Sequence, residues 1–280
     1  MMASTRSVPS TTSPALLSAP VVVFLAAVFL IPLGYVIWMS VSEPNPGLGN
    51  FIDIFRSPVF FQVVWQTFKT AFIVTVCTLL ISYPLAYAAA NGSKGMAAFL
   101  LTVVALSFWT SFLVRTYAWM VILGTQGPVS DLFSALGWNP PPRILFTTFS
   151  ATLAMTHALV PFMTLALYAV MNRIDRRLVQ AAANLGATPV RAFLTVYLPL
   201  SAPGIVNGCT LVFIMCLGFY VMPVLLGSPS DQMIAGVIGD QIEQMMDFGL
   251  ASAMSIVLLT ITLTLYAIYN HFVGLDRLWR

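Results

Sequence analysis

The stretch VQAAANLGATPVRAFLTVYLPLSAPGI, residues 179–205, carries signals for two short helices inside a very apolar chain. Asp175 can cap the first helix, and Gly186 suits the left-handed position that ends it. Thr188 can cap a second helix that begins at Pro189, because proline fits the first helical position. The pattern therefore predicts a helix, a turn and a second helix between two long apolar segments.

The first of these helices presents a stripe formed by Leu178, Ala182 and Leu185. Its side chains of little bulk are Ala181, Ala182, Ala183 and Gly186. Such a surface permits close approach of another backbone, and two interpretations stay open. The helix either packs on the surface of its own bundle or forms a docking site for a partner protein.

The composition points to a bilayer. Of 280 residues, 59% are hydrophobic and 8% are charged, and the mean hydropathy is +0.91, whereas about a quarter of the residues in a soluble domain are charged. A helix needs roughly 20 apolar residues to cross the hydrocarbon core, with its backbone polar groups paired internally. We predict an all-α membrane protein with six transmembrane helices at about 15–39, 70–90, 96–114, 147–170, 200–226 and 248–269.

The ends of the chain carry separate predictions. The first apolar segment is longer than the core of a signal peptide and follows only one charge, Arg6, so we interpret it as an uncleaved span rather than a leader. Residues 1–14 are rich in Ser, Thr and Pro and are predicted to be disordered. Residues 273–280 form a C-terminal tail, and residues 15–272 form the membrane domain.

The charges divide between the two sides of the predicted topology. The side with both termini, the 91–95 turn and the 171–199 loop holds eight Lys and Arg against two acidic residues, a charge of +6. The other side holds four basic and seven acidic residues, a charge of −3. Because basic loops stay in the cytoplasm, we predict that both termini and the 171–199 loop are cytoplasmic.

Several classes of site are disfavoured. Cys77, Cys209 and Cys216 lie in apolar segments without a C-x-x-C pair or a nearby His, so we interpret them as buried thiols and expect no metal site. The basic residues are scattered, which does not favour nucleic-acid binding.

The loop also resembles the EAA loop of permease subunits of bacterial ATP-binding-cassette (ABC) importers. Three residues separate the second Ala from the Gly, and nine residues follow the Gly before Val196, as in that family. The matching positions are Gln180, Ala181, Ala182, Gly186, Ala187, Phe193, Val196, Leu198, Pro199, Leu200, Pro203, Gly204 and Ile205. Four further stretches are similar to the spermidine/putrescine branch of the family: YPLAYA at 83–88, RTYAW at 115–119, LG at 123–124 and LASAMSIVLL at 250–259. One departure is Gln180, where the family has Glu.

The resemblance implies the type I ABC importer permease fold with a cytoplasmic coupling helix in a loop at about 175–205. It assigns ATPase coupling to Gln180, Ala181, Ala182, Ala183, Leu185, Gly186, Ala187, Phe193 and Pro199. The implied partners are two ATPase subunits, a second and different permease chain, an external solute-binding protein and the lipid of the bacterial inner membrane. ATP and Mg²⁺ are then used by the ATPase, with no cofactor in this chain. The chain lacks a G-x-x-x-x-G-K-[ST] loop, so we predict that it is not itself an enzyme.

Candidate pathway residues each keep two interpretations. His157 is the clear ionisable residue within a span, and it either hydrogen-bonds inside the bundle or meets the solute. Arg115, near Tyr117 and Trp119, either stacks on these rings or anchors its span at the membrane interface.

Acidic residues cluster near the predicted outer side. Asp240, Glu243 and Asp247 fall close to one helical face, with Asp231 upstream. They form either a solvated face or a surface that helps a basic region of the binding protein to dock or that steers a cationic solute.

The resemblance favours a polyamine, or a related small organic cation, as the solute. Permeases for iron, sulfate, opines or amino-acid-like solutes remain alternatives. A secondary transporter would need inverted repeats or embedded acidic residues, and neither is visible in the sequence. A membrane enzyme would need a cluster of reactive side chains near the bilayer, and none is visible.

Overall fold

The computed structural model describes the backbone of residues 14–273 and the side chains of residues 19–271. The predicted disordered segment 1–14 and the C-terminal tail 273–280 lie outside the described residues, apart from Pro14 and Val273, which end the first and last helices.

Every secondary-structure element of the described residues is a helix. The helices are α1 (Pro14–Ser42), α2 (Gly49–Arg56), α3 (Pro58–Asn91), α4 (Lys94–Trp109), α5 (Phe112–Leu123), α6 (Pro128–Ala135), α7 (Thr148–Met171), α8 (Arg176–Asn184), α9 (Pro189–Ala192), α10 (Leu198–Leu217), α11 (Val221–Leu226), α12 (Ile234–Glu243) and α13 (Phe248–Val273). A π-helical segment, Phe193–Tyr197, joins α9 to α10, and a 3₁₀ turn, Pro229–Asp231, precedes α12.

Five helical segments are long and apolar enough to cross a membrane, and α4 with the segment Phe112–Ala135 makes a sixth if that bent pair counts as one span. The prediction of an all-α membrane protein with six spans is therefore confirmed. Two of the predicted spans are nevertheless wrong as continuous helices.

The predicted span 96–114 stops at Trp109, and the chain turns by 98° before α5. Thr110 and Ser111 adopt extended backbone there, although neither is Gly or Pro. The predicted span 200–226 stops at Leu217, and residues 218–220 are non-helical before α11. Apolar composition continues through both breaks, so hydropathy alone does not detect them.

The core consists of α7 packed between α3 and α10. Buried side chains at its centre include Val74, Leu159, Met163 and Val212, each with 0% of its surface exposed. The spacing Gly204-x-x-x-Gly208 allows close packing of α10, because a Cβ at Gly208 would lie 2.6 Å from the sulfur of Met163 on α7.

A second cluster forms at the end of the bundle where α2 and α12 lie. Ile54, Phe60, Ile234, Ala253 and Met254 pack together there, which joins these two helices to α3 and α13. In addition, α1 packs along α13. The apolar stretch of α1 has none of its residues buried within this chain, so that surface is available to lipid or to a partner.

Candidate functional site

The loop between α7 and α10 folds as its capping residues predict. Asp175 Oδ1 accepts a hydrogen bond from the Arg177 amide at 2.9 Å, which caps α8. Gly186 has a φ of +87°, and the amide of Ala187 bonds the Ala182 carbonyl oxygen at 3.0 Å, as in a Schellman motif. Thr188 Oγ1 accepts from the amide of Arg191 at 3.3 Å, which caps α9 at Pro189.

The structure adds a feature that the sequence did not reveal, since α9 continues without a break through the π-helical segment into α10. Pro199 and Pro203 therefore lie inside a long helical segment that begins at Pro189, where Pro199 is exposed and Pro203 is half-buried.

The outer surface of this loop is exposed and apolar at selected points. No residue of α8 is buried. Leu185 is 89% exposed, Val190 is 68% exposed and Leu178 is 48% exposed. Ala182 and Ala187 are half-buried, while Gln180, Ala181, Ala183 and Gly186 are exposed. Leu185 at the turn is thus the most prominent apolar side chain among the candidate coupling residues.

The inner surface of the loop rests on an aromatic cluster. Phe193 stacks on Tyr197 with ring centroids 5.8 Å apart, and it meets Tyr83 and Tyr87 of α3 edge to face at 6.0 Å and 5.8 Å. Phe193, one of the predicted coupling residues, is therefore half-buried against α3. It supports the loop from inside.

Hydrogen bonds reinforce this junction. Asn91 Nδ2 donates to the Tyr197 hydroxyl at 2.7 Å, and the Tyr83 hydroxyl lies 2.9 Å from Ser201 Oγ. Arg176 on α8 donates to the carbonyl oxygen of Ala90 at 2.8 Å, near the C-terminus of α3. A cation is favourable at this helix end. The loop and the end of α3 therefore share one set of contacts.

A cavity of about 570 Å³ lies where the two broken spans meet. Its wall includes residues from the α4–α5 break, the middle of α7 and the α10–α11 break. The aromatic residues in the wall are Phe108, Phe112, Phe162, Phe219 and Tyr220. Phe108 and Phe162 pack edge to face at 5.0 Å, as do Phe112 and Phe219 at 5.6 Å. Five aromatic side chains thus line the cavity, and aromatic rings attract cations.

Arg115 is buried in the wall of this cavity, and its predicted roles of stacking on an aromatic ring or anchoring the span at the interface stay predictions. Its guanidinium donates to the carbonyl oxygens of Ser107 and Thr110, the latter at 3.4 Å. These carbonyls lie at the C-terminal end of α4, where no further helical amides follow to bond them. Arg115 therefore caps the interrupted span and helps to explain the break.

Trp119 and His157 form a pair outside the wall of this cavity. Trp119 Nε1 donates to His157 Nδ1 at 3.3 Å, and the rings meet edge to face. His157 is nevertheless exposed in this chain, so both interpretations of it stay open. Tyr117 is 58% exposed and also lies outside the cavity wall.

The acidic residues near the predicted outer side differ in their environments. Asp231 is 4% exposed, so the interpretation of a solvated side chain is wrong for it. Asp240 is half-buried and accepts hydrogen bonds from Gln232 and from Gln244, the latter at 3.2 Å. Glu243 is exposed. Asp240 and Glu243 lie on α12, whose backbone packs on the Tyr220 ring at Gly239, so α12 brings both carboxylates to the side of the cavity where Tyr220 lies.

Within the described side chains, no group of three or more His, Cys, Asp or Glu residues is arranged to hold a metal ion. Cys216 is buried, while Cys77 and Cys209 are half-buried, and all three are free thiols.

Comparisons with known proteins agree with this architecture. No protein-family model matches the chain. The spermidine/putrescine transport system permease protein PotB of Haemophilus influenzae is 34% identical over 221 residues, 79% of this chain and 77% of that protein. PotB of Escherichia coli K12 is 32% identical over 202 residues, 72% of this chain and 74% of that protein.

Among solved structures, a chain of the bacterial alginate ABC transporter, in complex with an alginate-pentasaccharide-bound periplasmic protein, superposes with a TM-score of 0.72. It is 19% identical, and the match covers 91% of this chain and 93% of that one. The fold is thus that of an ABC importer permease. Given the identity to the PotB proteins, the chain belongs to the family of permease subunits of binding-protein-dependent ABC importers.

Proposed function

We propose that this permease imports polyamines or a related small organic cation. The observation that carries the proposal is the aromatic cavity at the two helix breaks, with the carboxylates of Asp240 and Glu243 beside Tyr220. Aromatic faces attract ammonium groups, and nearby carboxylates raise their local concentration. The PotB relatives, named as spermidine/putrescine permeases, support the same solute class.

Arg115 is compatible with a cationic solute despite its position in the cavity wall. Its guanidinium donates to two carbonyl oxygens at the end of α4, which carries the negative pole of the helix. The positive charge is therefore offset by fixed dipoles rather than directed at the solute.

The exposed 171–199 loop supports the proposal that ATP hydrolysis takes place in a separate subunit. We infer that Leu185 and the small residues around it dock on a separate cytoplasmic ATPase, which binds and hydrolyses ATP with Mg²⁺. Movement of α8 and α9 reaches the membrane through the continuous helix into α10 and through the aromatic contacts with α3. The chain itself then carries out no hydrolysis.

The assembly completes the pathway. Two ATPase subunits bind two permeases, and the second permease, a different chain, closes the open side of the cavity. A solute-binding protein docks on the side that holds α12. The importer lies in the bacterial inner membrane, with both termini and the 171–199 loop in the cytoplasm, as the excess of basic residues favours.

Two measurements test this proposal. In cells that lack their own polyamine importers, the chain co-expressed with its cognate partner subunits should restore uptake of labelled spermidine. Competition with putrescine, sulfate and amino acids then tests the solute class, and competition only by the anionic or zwitterionic solutes would reject the polyamine assignment.

A membrane-impermeant thiol reagent should label Ser230→Cys but not Thr188→Cys in cells with a permeabilised outer membrane, and the reverse pattern would reject the orientation.

A further inference from the structure

Asp231 lies at the meeting point of three parts of the fold. Its Oδ1 accepts hydrogen bonds from Gln66 Nε2 of α3 at 3.2 Å and from Thr148 Oγ1 of α7 at 2.7 Å. Its Oδ2 accepts from the amide and the hydroxyl of Ser228 at 2.9 Å and 2.7 Å. With 4% of its surface exposed, this carboxylate is held entirely by neutral donors. A buried carboxylate is stable only when its oxygens are satisfied in this way.

Neighbouring bonds attach the same segment to the same two helices. The Ile234 amide, at the start of α12, donates to Thr67 Oγ1 of α3 at 2.9 Å. Ser150 Oγ of α7 donates to the carbonyl oxygen of Leu226, at the end of α11, at 2.6 Å. The chain from α11 to α12 is therefore fixed to the bundle at both ends, with Asp231 between them.

The segment that holds Asp231 is connected to the cavity through α12. Gln232, next to Asp231, donates to Asp240 on α12. A Cβ at Gly239 would lie 3.1 Å from Cε2 of Tyr220, so the Tyr220 ring rests closely on the α12 backbone. The position of α12 thus determines the positions of Tyr220, Asp240 and Glu243 relative to the cavity.

We propose that Asp231 is a positioning residue for solute passage: it holds α12 against α3 and α7, and so keeps Tyr220 and Asp240 in place beside the aromatic cavity. This role rests on the proposed function only in treating that cavity as the solute pathway. The positioning itself depends on the pairing of Asp231 with Gln66, which are 165 residues apart in sequence.

An exchange of charge between the two partners tests the pairing. Asp231→Asn removes the charge and directs an amide nitrogen toward the Gln66 amide and the Thr148 hydroxyl, which both donate to the carboxylate. Gln66→Glu sets two carboxylates against each other. In the double variant, the carboxylate introduced at position 66 accepts from the amide introduced at position 231, and the oxygen of that amide still accepts from Ser228. Gln62→Glu, on an exposed position of α3 one turn earlier, is the matched control.

We expect each single variant to lower spermidine uptake by about fivefold or more, and the double variant to return it to within about twofold of wild type, since directly paired residues are non-additive. Gln62→Glu should leave uptake unchanged. All variants are compared at equal membrane level. Recovery in the double variant separates positioning from general destabilisation, which would add rather than cancel. A double variant no better than the worse single variant would overturn the proposal.

A second measurement is independent of transport. In the full-length chain with Cys77, Cys209 and Cys216 replaced by alanine, the labelling rate of Val221→Cys by a maleimide reports on the cavity wall. We expect faster labelling with Asp231→Asn and the original rate with the double variant. Unchanged labelling in Asp231→Asn would contradict positioning. If wild type fails to transport spermidine while this labelling pattern holds, the proposed solute is wrong and the positioning role stands.

Discussion

Asn91 donates a hydrogen bond of 2.7 Å to the hydroxyl of Tyr197, across 106 residues of sequence. Asn91 is the last residue of α3, and Tyr197 ends the π-helical segment that connects the coupling loop to α10. The bond therefore links α3 to the continuous helix that leads from the 171–199 loop into α10.

Removing that hydroxyl should loosen the link without removing the ring. Tyr197→Phe keeps the stacking on Phe193 but leaves the Asn91 amide without this acceptor, a loss of about 1 kcal/mol. We expect normal membrane insertion and a rise of several-fold in ATP hydrolysed per solute imported. The measurement is ATP hydrolysis and uptake in proteoliposomes.

The control for Tyr197→Phe is Tyr35→Phe, which removes a hydroxyl from a side chain that is 61% exposed on α1. Equal coupling in both variants would show that the hydrogen bond has no part in transmission.

The coupling surface should be sensitive to changes at its most exposed apolar residue. Leu185→Ser removes the side chain that is 89% exposed at the turn, and Ala182→Arg adds bulk to the helix beside it. Gly186→Leu also strains a backbone with a φ of +87°. We expect all three proteins to insert normally and to lose most of their co-purifying ATPase.

Leu48→Ser, at a 63% exposed position beside α2, is the matched control for Leu185→Ser. Undiminished ATPase association in all three loop variants would show that the loop packs only on its own bundle.

Gln180 stands where the family has Glu, and the structure gives a reason to expect tolerance. Gln180 is exposed at the rim of a cavity of about 280 Å³ that Arg176 also lines. A carboxylate at position 180 lies one helical turn after Arg176, and such a pair contributes about 0.3 kcal/mol. We expect uptake by Gln180→Glu to stay within about threefold of wild type, a loss below 1 kcal/mol.

The salt dependence of ATPase co-purification completes the test of Gln180→Glu. A collapse of both uptake and co-purification would indicate an ATPase surface that accepts only the neutral amide.

The coupling loop was predictable because its signals are local. Asp175, Gly186 and Thr188 act on amides and carbonyls within five residues of themselves, so their positions in the sequence are sufficient. The bonds from Asn91 to Tyr197 and from Gln66 to Asp231 join residues more than 100 positions apart, and nothing local marks them. The aromatic cavity was missed for the same reason.

The break after Trp109 was hidden for a different reason. Neither residue at the break is Gly or Pro. The interruption of the helix is instead stabilised by the Arg115 side chain, which donates hydrogen bonds to the carbonyl oxygens at the end of α4. A sequence shows Arg115 but not the direction of its guanidinium. At the second break Gly218 was visible, yet the surrounding apolar residues favoured one continuous span.

The close packing of Tyr220 on α12 gives a further prediction. Gly239→Val adds a branched side chain whose Cβ lies 3.1 Å from the Tyr220 ring, so the ring, which lines the cavity, must shift. We expect at least a fivefold loss of spermidine uptake, equivalent to about 1 kcal/mol, with unchanged membrane level and ATPase association.

Gly49→Val is the control for Gly239→Val, because nothing lies within 4 Å of a Cβ built at Gly49. Normal uptake by Gly239→Val would remove Tyr220 from the solute pathway.

The central claim is that this chain moves an organic cation only when a separate ATPase acts on its coupling loop. The most direct test is uptake of labelled spermidine into proteoliposomes that contain the permease pair, the ATPase and the binding protein. We predict uptake that requires ATP and Mg²⁺ and is abolished by Leu185→Ser with Ala182→Arg. Uptake that continues without ATP, or that is unaffected by these two changes, would contradict the claim.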